Sequence, residues 1–428
     1  MNLIKYNEKE SNEVIEKILS RSKFEYGDEP ARVEKIVNDV KNNGDEALFR
    51  YTKDFDGIEL NKNNIRVTKE EIDEAYAEVD PELIKVMRHS AERIRIFHEK
   101  QKRVSWLEPE KNGGLLGQLV LPLSSVGVYV PGGKAAYPSS VLMNVIPAKV
   151  AGVEKIVMVT PPDKNGKVSA KTIAAAVEAG VTHIYKVGGA QAVAALAFGT
   201  QSIPKVNKIV GPGNIYVALA KRCVFGYVGL DSVAGPSEIL VIADKSANPV
   251  YVAADLLSQA EHDELASAVL ITTSMELARK VNDEVEKQTQ RLERKDIIKK
   301  SIDNYGAIIA VDDMDTAVEL CNQIAPEHME ICTEEPFFIL PKIKNAGAIF
   351  LGNYTPEPLG DYMAGPNHVL PTSGTAKFFS PLSVDDFIKK SSILAFSKAA
   401  FEELGSDVIK FAEAEGLTAH ANSVKVRL

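Results

Sequence analysis

The stretch VGVYVPGGKAAYPSSVLMNVIPAKVAGVEKIVMVT (residues 126–160) decides how the chain is read. It holds a β-branched run, Val126–Val130, then a turn rich in Gly and Pro. An apolar segment of helix length, Val141–Ala151, leads to a second β-branched run, Ile156–Thr160. Short apolar runs separated by a helical interval form a βαβ unit, with parallel strands covered on both faces. The alternation continues through Ala170–Ala179, Ile184–Val187, Ala190–Phe198 and Lys208–Val210. A second series runs through Ile239–Ala243, Val269–Thr272, Ile308–Val311, Met329–Cys332 and Ile349–Leu351, with helical intervals such as Val250–His262 and Asp315–Ile324. Two such series predict an α/β protein with two doubly wound lobes.

The flanks read differently. Over Ala31–Tyr51, the positions Val33, Ile36, Val37, Val40 and Leu48 keep a helical beat, and a second charged helical stretch spans Lys69–Lys102. From about Pro381 the chain returns to helix through Leu404–Glu415 and ends in a tail too small for a core of its own. That tail must dock on the lobes or on a partner chain.

Composition narrows the function classes. The 428 residues are 45% apolar and 25% charged, which excludes a largely disordered or fibrous chain. With 50 basic against 59 acidic residues and no long Lys/Arg block, nothing invites nucleic acid. Cys223, Cys321 and Cys332 show no C-x-x-C spacing and are too few for a disulfide framework. The start MNLIKYNEKESNEV lacks the cationic and apolar regions of a secretory signal, and no stretch is long and apolar enough for a membrane helix. The expectation is a soluble cytoplasmic enzyme or binding protein.

In open parallel sheets, ligands bind at the carboxyl ends of strands, where loops lead into helix N-termini. Four Gly-rich segments follow or border strands: 129–140, 187–192 (VGGAQA), 210–214 (VGPGN) and 234–238 (AGPSE). None is a G-x-G-x-x-G or a G-x-x-x-x-G-K-[ST] motif, so each serves as well for a tight turn as for a phosphate cradle. His89, His98 and His183 read as structural or solvated, whereas His262, His328, His368 and His420 stand beside carboxylates, amides, Gly or Pro. In LLSQAEHDE (256–264), Gln259 and His262 are spaced i, i+3 and share a helix face, as two metal ligands or as a capped helix end. Asp361, in the Gly-flanked loop PLGDYMAGPNH (358–368), and His420, in GLTAHANS (416–423), can add an anionic and a nitrogen ligand. Glu327 and His328 in APEHME (325–330) form an acid/base couple or a surface turn. Adjacent residues in extended backbone face opposite ways, so joint service in one site requires a bend there.

Taken together, GVYVPGG, KVGGAQA, IVGPGN, DSVAGPSEILVIAD, DLLSQAEHD, APEHME, GPNHVLPTSGTAKF, SPLSVDDFIKK and GLTAHANSVKVR resemble the histidinol dehydrogenase family from about residue 30 to the end. The resemblance implies two incomplete Rossmann-like lobes, with a helical N-terminal arm over 1–25 and a first lobe from 26–123 and 238–381. The second lobe would be 124–237, and 382–428 a dimerisation tail. It implies zinc on Gln259, His262, Asp361 and His420, and catalysis by Glu327 and His328. Substrate contacts fall on Ser237, Gln259, His262, His328, Asp361, His368, Glu415 and His420, and NAD contacts on Tyr129, Gln191 and Asn214. The implied reaction oxidises L-histidinol to L-histidine through L-histidinaldehyde with two NAD, in an intertwined homodimer whose neighbouring subunit lends His420. Met329 and Lys377 stand where the family pattern has Leu and Arg, which touches local packing and surface contacts only. The residues alone also accommodate a zinc hydrolase or lyase working without NAD, or a non-catalytic nucleotide- or amino-acid-binding protein.

Overall fold

The computed structural model describes residues 1–20, 27–132, 137–232 and 235–428. Gly133 to Ala136 of the first Gly-rich segment, Ala234 of the last one, and residues 21–25 of the expected arm lie outside the described residues. The chain divides into two compact units, Met1–Gln101 with Ser124–Phe387, and Lys102–Leu123 with Ile388–Leu428.

The first unit carries two parallel sheets. One has the order His183–Tyr185, Lys155–Val159, Ser125–Tyr129, Lys208–Val210, Gly229–Leu230. The other runs Asn2–Lys5, Gly306–Ala310, Ser267–Thr272, Glu238–Ala243, His328–Cys332, Ala348–Leu351. Apart from the edge strand Asn2–Lys5, the chain starts each sheet at a central strand, builds outward on one side, and then returns to build on the other. This is the doubly wound plan, with its switch point between Ser125–Tyr129 and Lys208–Val210 in one sheet and between Glu238–Ala243 and His328–Cys332 in the other. Strands buried along their whole length, such as EILVIA (238–243), read as continuous apolar runs because helices cover both faces.

Three local differences from the sequence reading have plain causes. The stretch Ala31–Tyr51 is two helices, Glu29–Asn43 and Asp45–Asp56, because Gly44 between them takes φ 54°. Lys69–Lys102 breaks at Asp80–Pro81, where Asp80 caps the helix Pro81–Glu99 by accepting from the Glu82 N–H. The segment Asn2–Lys5 is an edge strand on Gly306–Ala310, and Ile15 and Ile18 of the helix after it are buried in the core of the same lobe. The apolar stripe of Glu29–Asn43 packs with Val193, Leu196 and Ile209 of the 124–237 lobe, although the family resemblance grouped 26–123 with 238–381.

The second unit is an antiparallel sheet, Ile388–Phe396 beside Gly114–Pro122 beside Trp106–Pro109, with the helices Lys398–Ala414 and Thr418–Lys425. Its strands escaped the sequence reading because they lack the apolar continuity of the parallel ones: IKKSSILAF (388–396) has no fully buried residue. Leu394 and Phe411 are 67% and 70% exposed, so this unit presents apolar surface to solvent.

Candidate functional site

The site forms where the six-stranded sheet begins rather than where it ends. The helix Pro249–Ala260 starts with Asn248, whose side chain accepts from the Val250 N–H, and with Pro249. It buries Val252, Ala253, Leu256 and Leu257 on the sheet. As the crossover after Glu238–Ala243, it runs back and delivers its C-terminal end to the amino edge. Gln259 lies there in the last turn and His262 just beyond the helix, so the expected helix to His262 is two residues shorter. The strand His328–Cys332 begins at the same edge. Ala325 ends the preceding helix in the left-handed region (φ 54°), and Pro326 follows, which supplies the bend that the Glu327–His328 couple requires. Both side chains point into one cluster, with Glu327 Oε2 3.6 Å from His328 Nδ1.

Around His328 the geometry is specific. Its Nδ1 lies 3.0 Å from the Glu238 carbonyl oxygen. A carbonyl can only accept, so Nδ1 carries the proton and Nε2 keeps the lone pair in the neutral ring. That Nε2 makes no hydrogen bond and faces Glu357 Oε1 and Asp361 Oδ1, each at 3.8 Å. Asp361 Oδ2 stands 3.7 Å from His368 Nδ1, which is also unpaired. The Asp361 turn is braced from outside, since Ser90 on Pro81–Glu99 donates to the Tyr362 carbonyl at 2.6 Å. Beside the cluster, a cavity of about 480 Å³ is lined by Phe350, Asp361, Asn367, His368 and Leu370.

The electrostatics follow from burial and crowding. Burial pushes the Glu327 carboxyl up to about 7, with His328 pulling it down and Glu238 pushing it up. For His328, burial favours the neutral ring, but Glu327, Asp361 and Glu357 outweigh it and raise its pKa to about 10, so the ring is protonated unless a cation held by Asp361 offsets that pull. Burial and Asp361 raise Glu357 to about 8. Burial pushes the Asp361 carboxyl up, but the His328 imidazole 3.8 Å away and the charge of His368 outweigh it and hold it down to about 2. Removal from water lowers His262 although part of the residue is exposed, with Asp361 opposing.

This donor set fits a metal ion. Gln259 is 1% exposed, yet neither of its amide atoms has a hydrogen-bond partner, which a native interior tolerates only where something else completes the shell. Ligand atoms of His328, Glu357 and Asp361 all lie within 4.8 Å of one another. Of the ligands expected from the resemblance, Asp361 belongs to this group, and Gln259 and His262 lie at the same edge, with His262 near enough to feel the Asp361 charge. His420 lies in the second unit, exposed on Thr418–Lys425, with Glu415 exposed at the end of the helix before it. Ser237 precedes the strand Glu238–Ala243, its carbonyl accepting from the Ser267 N–H. The sequence expectations omit Glu357 and Glu238, both buried carboxylates; a charge leading the apolar run EILVIA is a signal for Glu238, whereas Glu357 in the turn-rich NYTPEPLGDY carries none.

A second cluster sits at the opposite kind of edge, the carboxyl ends of the five-stranded sheet. The Tyr129 hydroxyl accepts from the Gly189 N–H at 3.0 Å, and burial pushes its pKa up to about 12. Gln191, in the first turn of Gly189–Phe198, is buried with its Oε1 unpaired. Asn214 caps Ile215–Val224, its Oδ1 accepting from the Tyr216 and Val217 N–H groups. Gly211, at φ 109°, passes so close to Tyr129 that a Cβ would stand 2.1 Å from the Tyr129 carbonyl oxygen.

The family model for histidinol dehydrogenase matches residues 19–428. The chain belongs to the histidinol dehydrogenase family. It is 61% identical to the histidinol dehydrogenase of Caldanaerobacter subterraneus subsp. tengcongensis, over 97% of this chain and 96% of that one. With that of Bacillus subtilis strain 168 it shares 56%, over 96% of each. The crystal structure of histidinol dehydrogenase from Elizabethkingia anophelis superposes with a TM-score of 0.94 at 39% identity, covering 100% of this chain and 98% of that one. As a histidinol dehydrogenase family member the chain is an oxidoreductase of the last steps of histidine biosynthesis. Among the described residues no helix is long and apolar enough to cross a membrane.

Proposed function

We propose that the chain oxidises L-histidinol to L-histidine through L-histidinaldehyde, with two successive hydride transfers to NAD, as a zinc-containing cytoplasmic homodimer. The observation that carries this is His328: a buried imidazole whose Nδ1–H is committed to the Glu238 carbonyl and whose Nε2 is free, beside a carboxyl held near neutrality. With a cation held at Asp361 the His328 ring would be neutral and Nε2 a proton acceptor, and the raised Glu327 carboxyl beside it can exchange a proton with water near neutral pH.

Gln259, His262 and Asp361, with His420 lent by the second subunit, would hold the zinc. When bound, the ion supplies a Lewis-acid anchor for the nitrogen atoms of the substrate. The unpaired Gln259 amide supports this set, and the exposure of His420 and Glu415 together with the bare apolar face around Leu394 and Phe411 supports their use across a dimer. His328 Nε2 takes the alcohol proton as hydride departs. Glu327 then takes a proton from the water that adds to the aldehyde, and His328 serves again when the gem-diol is oxidised. His368, Ser237 and Glu415 orient the substrate by hydrogen bonds. Tyr129, Gln191 and Asn214 would hold NAD, and the amino end of Ile215–Val224 offers a helix dipole that favours an anion.

The test separates the two steps. His328→Asn should depress NADH formation from both L-histidinol and added L-histidinaldehyde, whereas Glu327→Gln should chiefly impair the aldehyde step. Equal losses in both steps for the Glu327 variant would refute the division of labour. Two NADH per histidinol, abolished by chelation and restored by zinc, would support the cofactor assignment.

A further inference from the structure

Glu238 opens the central strand and is 3% exposed. Three of its hydrogen bonds run to one dipeptide. Its backbone N–H donates to Glu327 Oε2 at 3.0 Å, its Oε2 accepts from the Glu327 N–H at 3.2 Å, and its carbonyl accepts from His328 Nδ1 at 3.0 Å. Its other oxygen, Oε1, accepts from the Ser373 N–H at 2.9 Å, and Ser373 is a non-glycine residue at φ 60°. Two neighbouring strands thus start by clasping each other, backbone to carboxylate in both directions. A buried carboxylate beside another carboxylate is electrostatically unfavourable, so packing alone does not explain its presence.

We propose that Glu238 is a positioning residue for the Glu327–His328 couple. Its carboxylate ties down the Glu327 backbone, and its carbonyl holds the His328 tautomer that leaves Nε2 as base. The inference rests on the reading of Glu327 as the group that activates water. A carboxylate is required because both of its oxygens face N–H donors. Glu238→Gln keeps the shape but turns an NH2 toward either Glu327 or Ser373, where donor would meet donor. The Glu327 side chain then loses its fixed origin while the zinc ligands and the His328 strand remain in place.

The experiment uses the zinc-loaded full-length enzyme and measures both half-reactions, zinc content and melting temperature. Glu238→Gln should lower kcat for L-histidinaldehyde tenfold or more, with KM for it changed less than twofold and zinc retained, while the donor–donor contact lowers the melting temperature of a still folded enzyme. Because it acts through Glu327, the same change should cost less than twofold in a Glu327→Gln background. Glu238→Asp, which keeps the charge at shorter reach, should show the same split with a smaller loss, and it carries the test if the Gln variant does not fold. Independent, multiplicative losses in the double variant would overturn the proposal. So would wild-type rates in Glu238→Gln, or a loss of zinc with both half-reactions falling together. Glu327→Gln alone reports on the underlying reading: a normal aldehyde step there removes that reading, whereas a defective one with independent Glu238 effects removes only this proposal.

Discussion

Lys221→Met should separate the stability of the NAD edge from its function. Lys221 and Asp231 form an ion pair with each side chain only 4% exposed. Lys221 Nζ also donates to the Gly211 carbonyl at 3.0 Å, and Asp231 Oδ2 accepts from the Gly211 N–H at 2.8 Å. The pair therefore grips the Gly211 peptide group from both sides, at the turn that leads to Asn214. Met keeps the stem of Lys221 but strands Asp231 without its partner in the interior. Breaking one side of a buried pair costs about 3–5 kcal/mol. A Lys221→Met, Asp231→Asn double variant should recover part of that loss, because no uncompensated charge remains. A loosened turn should also raise KM for NAD by about tenfold, equivalent to ~1.4 kcal/mol of binding, with KM for histidinol changed less than twofold. Urea unfolding followed by circular dichroism, and steady-state kinetics with each substrate varied in turn, read the two effects. A large stability loss with unchanged KM for NAD would refute the placement of this turn against the cofactor. A stability change under ~1 kcal/mol would refute the claim that the pair is buried and obligatory.

Two further predictions concern the other lobe. Burial pushes Asp255 from the usual 3.8 up to about 6, with Glu330 opposing. An acid with a raised folded pKa adds stability below pH 4 that is lost as pH rises through 6, and Asp255→Asn should reduce that fall while Glu330 keeps its own part. Melting temperatures of both proteins from pH 3.5 to 8 should converge at the acid end and favour the variant at pH 8; parallel curves would refute it. His262→Asn and His420→Asn should each lose zinc, measured as metal per chain after dialysis. Stoichiometric zinc after either change would remove that residue from the ligand set.

The parallel lobes were legible because their strands are buried on both faces and so are apolar throughout, as in EILVIA and KIVMV. Their predicted limits fall within two residues of the observed ones at nearly every strand. The antiparallel unit was not legible for the converse reason. Residues 388–396 alternate weakly, carry two adjacent lysines, and are open to water along nearly their whole length, so their strand character lies in pairing with Gly114–Pro122 rather than in local pattern. Breaks at Gly44 and Asp80–Pro81 were visible in the sequence as glycine and as a capping pair, yet a helical beat on both sides masked them.

Part of the candidate cluster was legible in the sequence, in Gln259, His262, Glu327, His328 and Asp361, but its location was not, nor were Glu238 and Glu357. Strand-end reasoning points to carboxyl edges, and the residues of the five-stranded sheet obey it: Tyr129, Gln191 and Asn214 follow their strands. Gln259, His262, Glu327 and His328 do not, since they gather at the amino edge of the other sheet. The reason lies in direction. A crossover helix returns toward the start of the sheet, so ligands placed at its C-terminal end necessarily meet the first residues of the strands beside it. That edge is furnished with carboxylates from strand starts, a short helix and a loop: Glu238, Glu327, Glu357 and Asp361. One sheet edge thus suits an anionic cofactor and the other a cation with a base beside it. Spacing alone could not reveal this, because the choice between edges depends on which end of each helix carries the polar residues.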